Sequence, residues 1–531
     1  MVFAATSPLS AADYFIVVVY LVGTMALGVW IGRRIKTGSD FFLGGRRLPW
    51  WAIGMSLVAT DIGGTDMIGV GGAAYKHGLS VSNFEWIGCV PAMIIGAFIF
   101  IPFFYRTGVV TVPEFLERRY NVSVRTVMAS CWLIFMACNL GIMLLASAKM
   151  MSSVFGWNAI MCVWVTAILV GLYTCMGGLA AVVYTDMIQC TVMIVGCLCL
   201  LVIGLIKVGG IDAFNDRLAE ANQERRAAVE AVESDSEGNE LTSLILPVDT
   251  PSPFPWTGIY FGLALILSPA YWIGNQAIVQ RSLGARSEFD AKASYIWGAL
   301  LKNIIPLIIA VPGLLAIVLL PDLDDGDLAL PHLVGELLPA GLRGLFVAAF
   351  LAALMSSIDS YLNSAATLVS NDFYKRFYDN NVTDERLLTI GRLTTVGLVA
   401  WAILFALMLT RISESSGIYS VFQTLMAFFQ GPALAVLGIG VLWKGATGRA
   451  AFISLILGIA TAISLYALNQ GTVLERLGWQ PLFQISDPFL YFSIWAFLVT
   501  AILLVAISLI GGPDSQDKSQ YVFGGAKGVE Q

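Results

Sequence analysis

The chain contains a long series of apolar runs, each long enough to cross a lipid bilayer as a helix. A spanning helix needs about 20 mostly apolar residues, and roughly thirteen segments meet that rule. Only 12% of the 531 residues are charged, against about 25% in soluble domains. Lipid must therefore cover much of the surface. We predict an all-α polytopic membrane protein with spans at 11–32, 50–74, 84–105, 123–150, 157–176, 179–208, 256–280, 293–320, 340–371, 387–410, 416–443, 448–468 and 485–511.

Lysine and arginine in the short loops predict the orientation, because cytoplasmic loops are enriched in these residues. Alternate loops collect them on one side: Arg33, Arg34, Lys36, Arg46, Arg47, Arg106, Arg118, Arg119, Arg281, Arg286, Lys292, Lys375, Arg376, Arg386, Lys444 and Arg449. We expect a multi-pass plasma-membrane protein with its N-terminus outside and its C-terminus in the cytoplasm. The acidic 209–255 loop falls outside, and its polar part can form an exposed helix or stay disordered.

Two acids lie inside one predicted span. Asp61 and Asp66 flank the pair Gly63 and Gly64. On a regular helix, five residues at 100° each place the two carboxylates about 140° apart. They converge only if the helix breaks at the glycines, and a break frees backbone carbonyls that can bind a cation. Close helix packing explains small residues, but not two acids.

A later span carries a stripe of oxygen-bearing side chains. Ser356, Asp359, Ser360 and Asn363 share one helical face. Serine hydroxyls can bond back to their own helix carbonyls, yet an acid in the stripe favours binding of a hard cation such as Na⁺, which prefers oxygen ligands.

Further polar groups start or follow other spans. Glu85 is either an interfacial residue or a binding group. Asp186 and Gln189 share a face, although an acid near a helix start also suits the helix dipole. Lys302 lies mid-span, where a buried cation needs a partner.

A second interrupted span contains Pro269 and Gly274. Tyr271 and Asn275, four residues apart, share one helical face of this span. The two interruptions are about five spans apart, as in transporters built from two repeats. We therefore divide the chain into a peripheral 1–49 segment, a first repeat at 50–208, the 209–255 loop, a second repeat at 256–443 and a peripheral 444–531 segment.

Several motifs resemble those of the sodium:solute symporter family, particularly its sodium–sugar cotransporters. They are GGLAAVVYTDMIQ (177–189), AALMSSIDSYLNSAATL (352–368), FEW (84–86), GVVTVPEFLERRY (108–120) and YWIGNQAIVQRSL (271–283). The resemblance implies a LeuT-type five-plus-five inverted repeat with peripheral helices, a transporter rather than an enzyme, and Na⁺ as the coupling ion.

The resemblance also implies two ion sites. The first uses the carbonyls of Ala59, Ile62 and Ala353 with the hydroxyls of Ser356 and Ser357. A second, present in some members, maps onto Asp186, Asp359 and Ser360. Position 359 is usually Ser, Thr or Ala in the family, so Asp359 is a departure that can strengthen a Na⁺ site or carry a proton.

The solute-binding positions of the sugar branch map onto Asp61, Asp66, Glu85, Tyr271, Trp272, Lys302 and, from the spacing to Pro432, either Gln423 or Thr424; we choose Gln423. Asn275 is added from the interrupted span. Asp61 replaces the relatives' Asn and Asp66 their His or Gln, so the solute is open. We expect symport of a sugar or polyol; the alternative is a sodium or proton symporter for an amino acid or small carboxylate.

Other function classes fit the sequence less well. The two histidines, His77 and His332, have no metal cluster or nucleophile around them, which argues against an enzyme. A channel would pass ions without dependence on a solute, and a solute sensor would bind its solute without transporting it. The net charge of −6 argues against a nucleic-acid partner. The expected partners are the bilayer and a small polar solute, with the oligomeric state left open.

Overall fold

The computed structural model describes residues 9–33, 35, 37–176, 178–230, 241–250, 252–412, 418–483, 485, 487–514 and 518–523. Within these ranges the chain is helical, apart from loops and two isolated β-bridges. The longer helices are α1 Ala11–Gly32, α2 Trp50–Asp61, α3 Gly64–His77, α4 Phe84–Thr107, α5 Val122–Phe155, α6 Ala159–Met176, α7 Leu179–Val208, α8 Ile211–Glu230, α9 Gly258–Gly274, α10 Gln276–Leu283, α11 Glu288–Lys302, α12 Ile305–Leu319, α13 Leu342–Phe377, α14 Asp384–Ile412, α15 Ile418–Ala427, α16 Gln430–Leu442, α17 Gly448–Leu468 and α18 Phe489–Gly511. The predicted loop residues Arg34 and Lys36, and Gly177 of the first motif, lie outside the described residues.

The predicted spans correspond to these helices. Among the described residues, nine helical segments are long and apolar enough to cross a membrane, and eleven if two bent pairs are each counted as one span. The other two predicted spans are the pair α2–α3, which is broken, and α6, whose apolar part Ala159–Gly171 is short. The all-α polytopic fold is therefore confirmed.

The break predicted at the Gly-Gly pair is present. Helix α2 ends at Asp61, Ile62 leaves the helical region with φ −86° and ψ 87°, and Gly63 is extended. The Gly63 amide donates to Asp66 Oδ2 at 2.9 Å, so Asp66 caps the start of α3.

The second interruption was predicted at Pro269 and Gly274, and it is present at Gly274, where the helix ends. The prediction that Pro269 breaks the span was wrong, because α9 continues through Pro269 after a π-helical stretch at Gly258–Leu267. The wider π-helical turn accommodates a residue that lacks an amide hydrogen. The chain leaves the helix at Asn275, with ψ 118°, and α10 continues at 51° to α9.

Helix α13 forms the centre of the bundle. In its most apolar stretch, 94% of the residues are buried, and its main partner is α7. A Cβ on Gly196 of α7 would lie 2.5 Å from the Ala349 Cβ of α13. Small residues let the two backbones approach closely, which is how packing is gained where lipid offers no hydrophobic drive.

The peripheral helices present apolar side chains outward. On α18, Leu509 is 69% and Ile510 is 87% exposed, as expected of residues that face lipid tails. In the 209–255 loop, α8 is a helix whose Arg225 donates to the Tyr75 carbonyl at the end of α3 at 2.8 Å. The helical alternative for this loop is therefore correct up to Glu230, and 231–240 lie outside the described residues.

Candidate functional site

Two serines of α13 reach the carbonyls at the end of α2. Ser356 Oγ lies 2.7 Å from the Ala59 oxygen and 2.9 Å from the Ala353 oxygen. Ser357 Oγ lies 2.9 Å from the Thr60 oxygen and 3.2 Å from the same Ala353 oxygen. The structure thus brings together the predicted first-site atoms of Ala59, Ala353 and both serines.

Each of these hydroxyls has two carbonyls within reach but only one hydrogen to donate. A monovalent cation in the same place would satisfy carbonyl and hydroxyl oxygens at once, since hard cations take several oxygen ligands. Ile62, the remaining predicted ligand, is the residue at which the helical dihedrals end. Its role stays a prediction.

The close approach of the two helices depends on a glycine. A Cβ built on Gly63 would lie 2.7 Å from Ser357 Oγ, closer than real contacts allow. Any larger residue at position 63 would therefore push the serine hydroxyls away from the broken helix.

The predicted second-site residues surround a buried arginine. Arg281 was assigned to a cytoplasmic loop from the sequence, but its side chain is fully buried at the level of α2 and α13. Its guanidinium donates to Ser56 Oγ at 2.8 Å, to Asp186 Oδ2 at 3.3 Å and to Ser360 Oγ. That assignment was wrong because the backbone break at Asn275 turns α10 back into the bundle.

Asp186, Asp359 and Ser360 are all buried around this arginine. Ser360 Oγ lies 3.2 Å from Asp359 Oδ1, and Ser56 Oγ donates to Asp186 Oδ2 at 2.6 Å. The second oxygen of Asp186 is buried without a hydrogen-bond partner among the described residues. Two carboxylates and one guanidinium leave this cluster with a formal charge of −1.

A cavity opens beside the broken helix and collects three acids. Asp61, Asp66 and Glu85 line it. Lys302, fully buried behind them, forms ion pairs with Asp61 and Glu85. The mid-span lysine thus has the partners that a charge inside a membrane protein requires. The cavity has a volume of about 60 Å³ and is partly open.

Aromatic and amide side chains complete the cavity. Tyr271 and Trp272 form part of its wall, and Gln423 lies on the helix α15 side. The Tyr271 hydroxyl is 3.3 Å from that of Tyr361, and the Trp272 ring centroid is 5.8 Å from Lys302 Nζ.

Asn275 has a local structural role. Its Oδ1 accepts from the Ala277 amide at 2.9 Å and so caps α10. It is not among the residues that line the cavity, so a role in solute binding stays a prediction.

Several residues of these sites were missed from the sequence, and Ser268, Gln430 and Arg281 are three polar examples. Ser268 and Gln430 line the cavity, and Arg281 joins the acids. The interrupted span held a signal for Ser268, which directly precedes Pro269. Gln430 follows a 40° bend between α15 and α16, and the Gly431-Pro432 pair directly after it was the sequence signal for that bend. Arg281 follows the end of a predicted span, where the sequence does not distinguish a loop residue from a residue inside the bundle.

Solved structures share this fold. A substrate-bound outward-open state of a Na⁺-coupled sialic acid symporter superimposes with a TM-score of 0.77 at 22% identity, over 96% of this chain and 99% of that one. The nucleobase-cation-symport-1 family transporter Mhp1, in a closed conformation with bromovinylhydantoin bound, gives a TM-score of 0.54 at 13% identity, over 90% and 97%.

Sequence relatives agree with the fold. The sodium/glucose cotransporter 1 of Oryctolagus cuniculus is 30% identical over 542 residues, which cover 95% of this chain and 80% of that protein. The sodium/glucose cotransporter of Vibrio parahaemolyticus is 30% identical over 481 residues, which cover 86% and 85%.

The model of one family matches residues 41–458, which is most of the chain. The match includes both helix breaks, the serines of α13 and the cavity. The chain therefore belongs to the sodium:solute symporter family, as a multi-pass membrane transporter, not an enzyme, with sodium as its coupling ion.

Proposed function

We propose that this protein imports a small polar solute, a sugar or polyol, across the plasma membrane together with Na⁺ by alternating access. The observation that carries the proposal is the contact between the α13 hydroxyls and the freed carbonyls of α2, directly beside a polar cavity. About 30% identity to sodium/glucose cotransporters supports a sugar. The expected orientation, with the N-terminus outside, belongs to this proposal.

The first Na⁺ would bind between Ser356, Ser357 and the carbonyls of Ala59 and Ala353. It ties the broken helix to α13 only in conformers where the two are close. A ligand shifts a conformational equilibrium by its difference in affinity for the two states, so Na⁺ favours the conformer with an ordered cavity. Rocking of one helix bundle against the rest then exposes ion and solute to the other side.

A second cation would bind at the arginine cluster, which we define as Arg281 with Asp186, Asp359 and Ser360. Asp186, Asp359 and Arg281 together carry a buried formal charge of −1, and burying a net charge is costly. Either Na⁺ or a proton would neutralise it. The buried, unpartnered oxygen of Asp186 supports a cation there.

The number of ions sets the concentrating power. One charge moving through about 100 mV releases about 2.3 kcal/mol, and a tenfold Na⁺ gradient adds about 1.4 kcal/mol. The sum of about 3.7 kcal/mol supports roughly 500-fold accumulation per ion at perfect coupling. A second ion would square that ratio.

Uptake into proteoliposomes tests the proposal. Purified protein should accumulate a radiolabelled sugar or polyol when Na⁺ is outside, and should fail to do so when K⁺ replaces Na⁺. A gramicidin-treated control, in which the gradient is collapsed, should reach only equilibrium. Equal uptake in Na⁺ and K⁺ for every solute would overturn sodium-coupled import.

A further inference from the structure

We propose that the solute carries an ammonium group as well as hydroxyls, as an amino sugar or amino polyol does. This inference rests on the proposed function and specifies its solute class. It starts from the charge of the cavity, which a neutral sugar would leave uncompensated.

The charges around the cavity do not cancel. Asp61, Asp66 and Glu85 line it, and Lys302 is the one cation bonded to them. Counted in their ionised forms, three carboxylates and one ammonium carry a formal charge of −2. Within the described part of the chain, no other charged side chain lines the cavity.

Lys302 is already shared between two of the acids, and Asp66 is left as the third. Asp66 Oδ2 accepts one hydrogen bond from the Gly63 amide, and the side chain is partly exposed to the cavity. A carboxylate that faces a solute in a low-dielectric cavity binds an ammonium donor strongly. It repels a carboxylate, so small carboxylates are disfavoured.

An independent polar group points to a hydrogen-bonding ligand in the same cavity. Gln430 lines the cavity, is fully buried, and neither its amide oxygen nor its amide nitrogen has a hydrogen-bond partner among the described residues. An unsatisfied buried amide costs about 1–3 kcal/mol. A solute with both hydroxyl and ammonium donors would satisfy its oxygen, and a hydroxyl oxygen its nitrogen.

The walls favour an organic cation over a metal ion. The aromatic rings of Tyr271, Phe422 and Trp272 line the cavity, and aromatic faces attract ammonium groups. The thiol of Cys89 lies within 4.8 Å of the Asp61 and Glu85 carboxylates, but the Lys302 ammonium already pairs with both acids and so stands where a metal would bind.

Matched solutes test the inference on the full-length protein in detergent with Na⁺. D-glucosamine and 1-amino-1-deoxy-D-sorbitol are compared with D-glucose, D-sorbitol, N-acetyl-D-glucosamine and D-glucuronate by thermal shift, because a ligand of the folded form raises its melting temperature. We expect at least one amine to bind tenfold or more tightly than its neutral parent. N-acetylation should abolish that gain, and D-glucuronate should bind weakest.

Variants then connect the preference to Asp66. Asp66→Asn keeps the shape and an oxygen that can accept from the Gly63 amide, so the fold should survive; Asp66→Ser is a second variant with a helix-capping oxygen. Both should reduce the amine preference about tenfold, while the exposed-loop control Asp249→Asn should keep it.

Four results would overturn the inference. Two concern the solutes: equal binding of amines and their neutral parents, or binding of no amine. Two concern Asp66: an unchanged amine preference in both variants, or a stabilisation by Na⁺ or Li⁺ alone that Asp66→Asn removes. Na⁺-driven uptake of a neutral sugar without amine preference would leave the proposed function intact. A lack of Na⁺ dependence for every solute would remove the proposed function itself.

Discussion

At the scale of single residues, the serines of α13 reconcile two interpretations of the same motif. Ser356 and Ser357 both lie within hydrogen-bond distance of the Ala353 carbonyl on their own helix, as back-bonding serines do. Both also reach carbonyls of α2. Back-bonding and the proposed cation binding therefore use the same oxygen atoms, and a bound ion would replace hydrogen bonds in which each hydroxyl has one hydrogen for two carbonyls.

Replacing these hydroxyls should raise the Na⁺ requirement of uptake. In the double variant Ser356→Ala with Ser357→Ala, two ligand oxygens are lost; at about 1–3 kcal/mol for each polar partner removed from a buried group, the Na⁺ concentration for half-maximal uptake should rise at least tenfold. Initial uptake rates across a Na⁺ series measure it.

The matched control is Ser364→Ala on the same helix. Ser364 is buried, and its hydroxyl has no hydrogen-bond partner among the described residues. It should keep the wild-type Na⁺ dependence. A double variant with unchanged Na⁺ dependence would contradict the first-site assignment.

At the scale of elements, a charged cluster joins the short helix Val112–Arg119 to α5 and α13. Glu117 pairs with Arg125 of α5 at 2.6 Å and with Arg376 of α13 at 2.8 Å. Arg125 also pairs with Asp372 at 2.7 Å. Burial raises the pKa of Glu117, but the hydrogen bonds from Arg376 and Arg125 outweigh it, so the pKa lies below its ordinary value.

The lowered pKa of Glu117 fixes the sign of a pH effect. A carboxylate with a depressed folded-state pKa stabilises the fold above its unfolded pKa of about 4.3, and the stabilisation is lost as the pH falls through the folded value. Glu117→Gln should therefore lower the free energy of unfolding by about 1 kcal/mol at pH 7, and the difference from wild type should shrink below about pH 4.

Denaturation in detergent at several pH values measures this difference, with Glu385→Gln, an exposed glutamate, as the control that should match wild type throughout. A Glu117→Gln deficit that grows on acidification would show that the ion pairs do not stabilise the junction.

At the scale of the whole molecule, the residues of the two proposed ion sites are adjacent between α2 and α13. Thr60 Oγ1 is 3.1 Å from Ser360 Oγ, and Ser360 Oγ in turn accepts from Arg281 of the arginine cluster. The central helix therefore contributes to both sites, and its position can report on both.

Removing the second acid should change the stoichiometry of transport. Asp359→Asn takes one negative charge from the arginine cluster, which makes it formally neutral without a cation. We expect the ion:solute ratio to fall from two to one, and solute accumulation in a fixed gradient to fall toward its square root.

Reversal-potential measurements on reconstituted protein test that ratio, in Na⁺ and in pH gradients separately, so that a proton is distinguished from Na⁺. Asp249→Asn serves as the charge control. An unchanged reversal potential in both gradients would reject an ion at Asp359.

Much of this protein could be predicted from its sequence. Lipid requires all backbone polar groups to be satisfied within each span, so apolar length alone predicts helices such as α1 and α7. The acids at positions 61 and 66 around two glycines predicted the break, because two carboxylates inside an apolar span coincide with a flexible glycine pair. The ion ligands proposed on α13 were predicted from helical spacing together with the family resemblance, and the structure brings Ser356 and Ser357 to the carbonyls of α2.

Only the tertiary structure determined what lies opposite each group. The direction that α10 takes after Asn275, which brings Arg281 to Asp186, depends on the packing of α2, α7 and α13, contacts far apart in sequence. The same is true of Gln430: Gly431 and Pro432 mark a bend in the sequence, but the packing of α15 and α16 determines that its side chain lines the cavity. Apolar length and periodicity specify each helix because they are local properties, whereas the charge balance of a buried site depends on which helices meet.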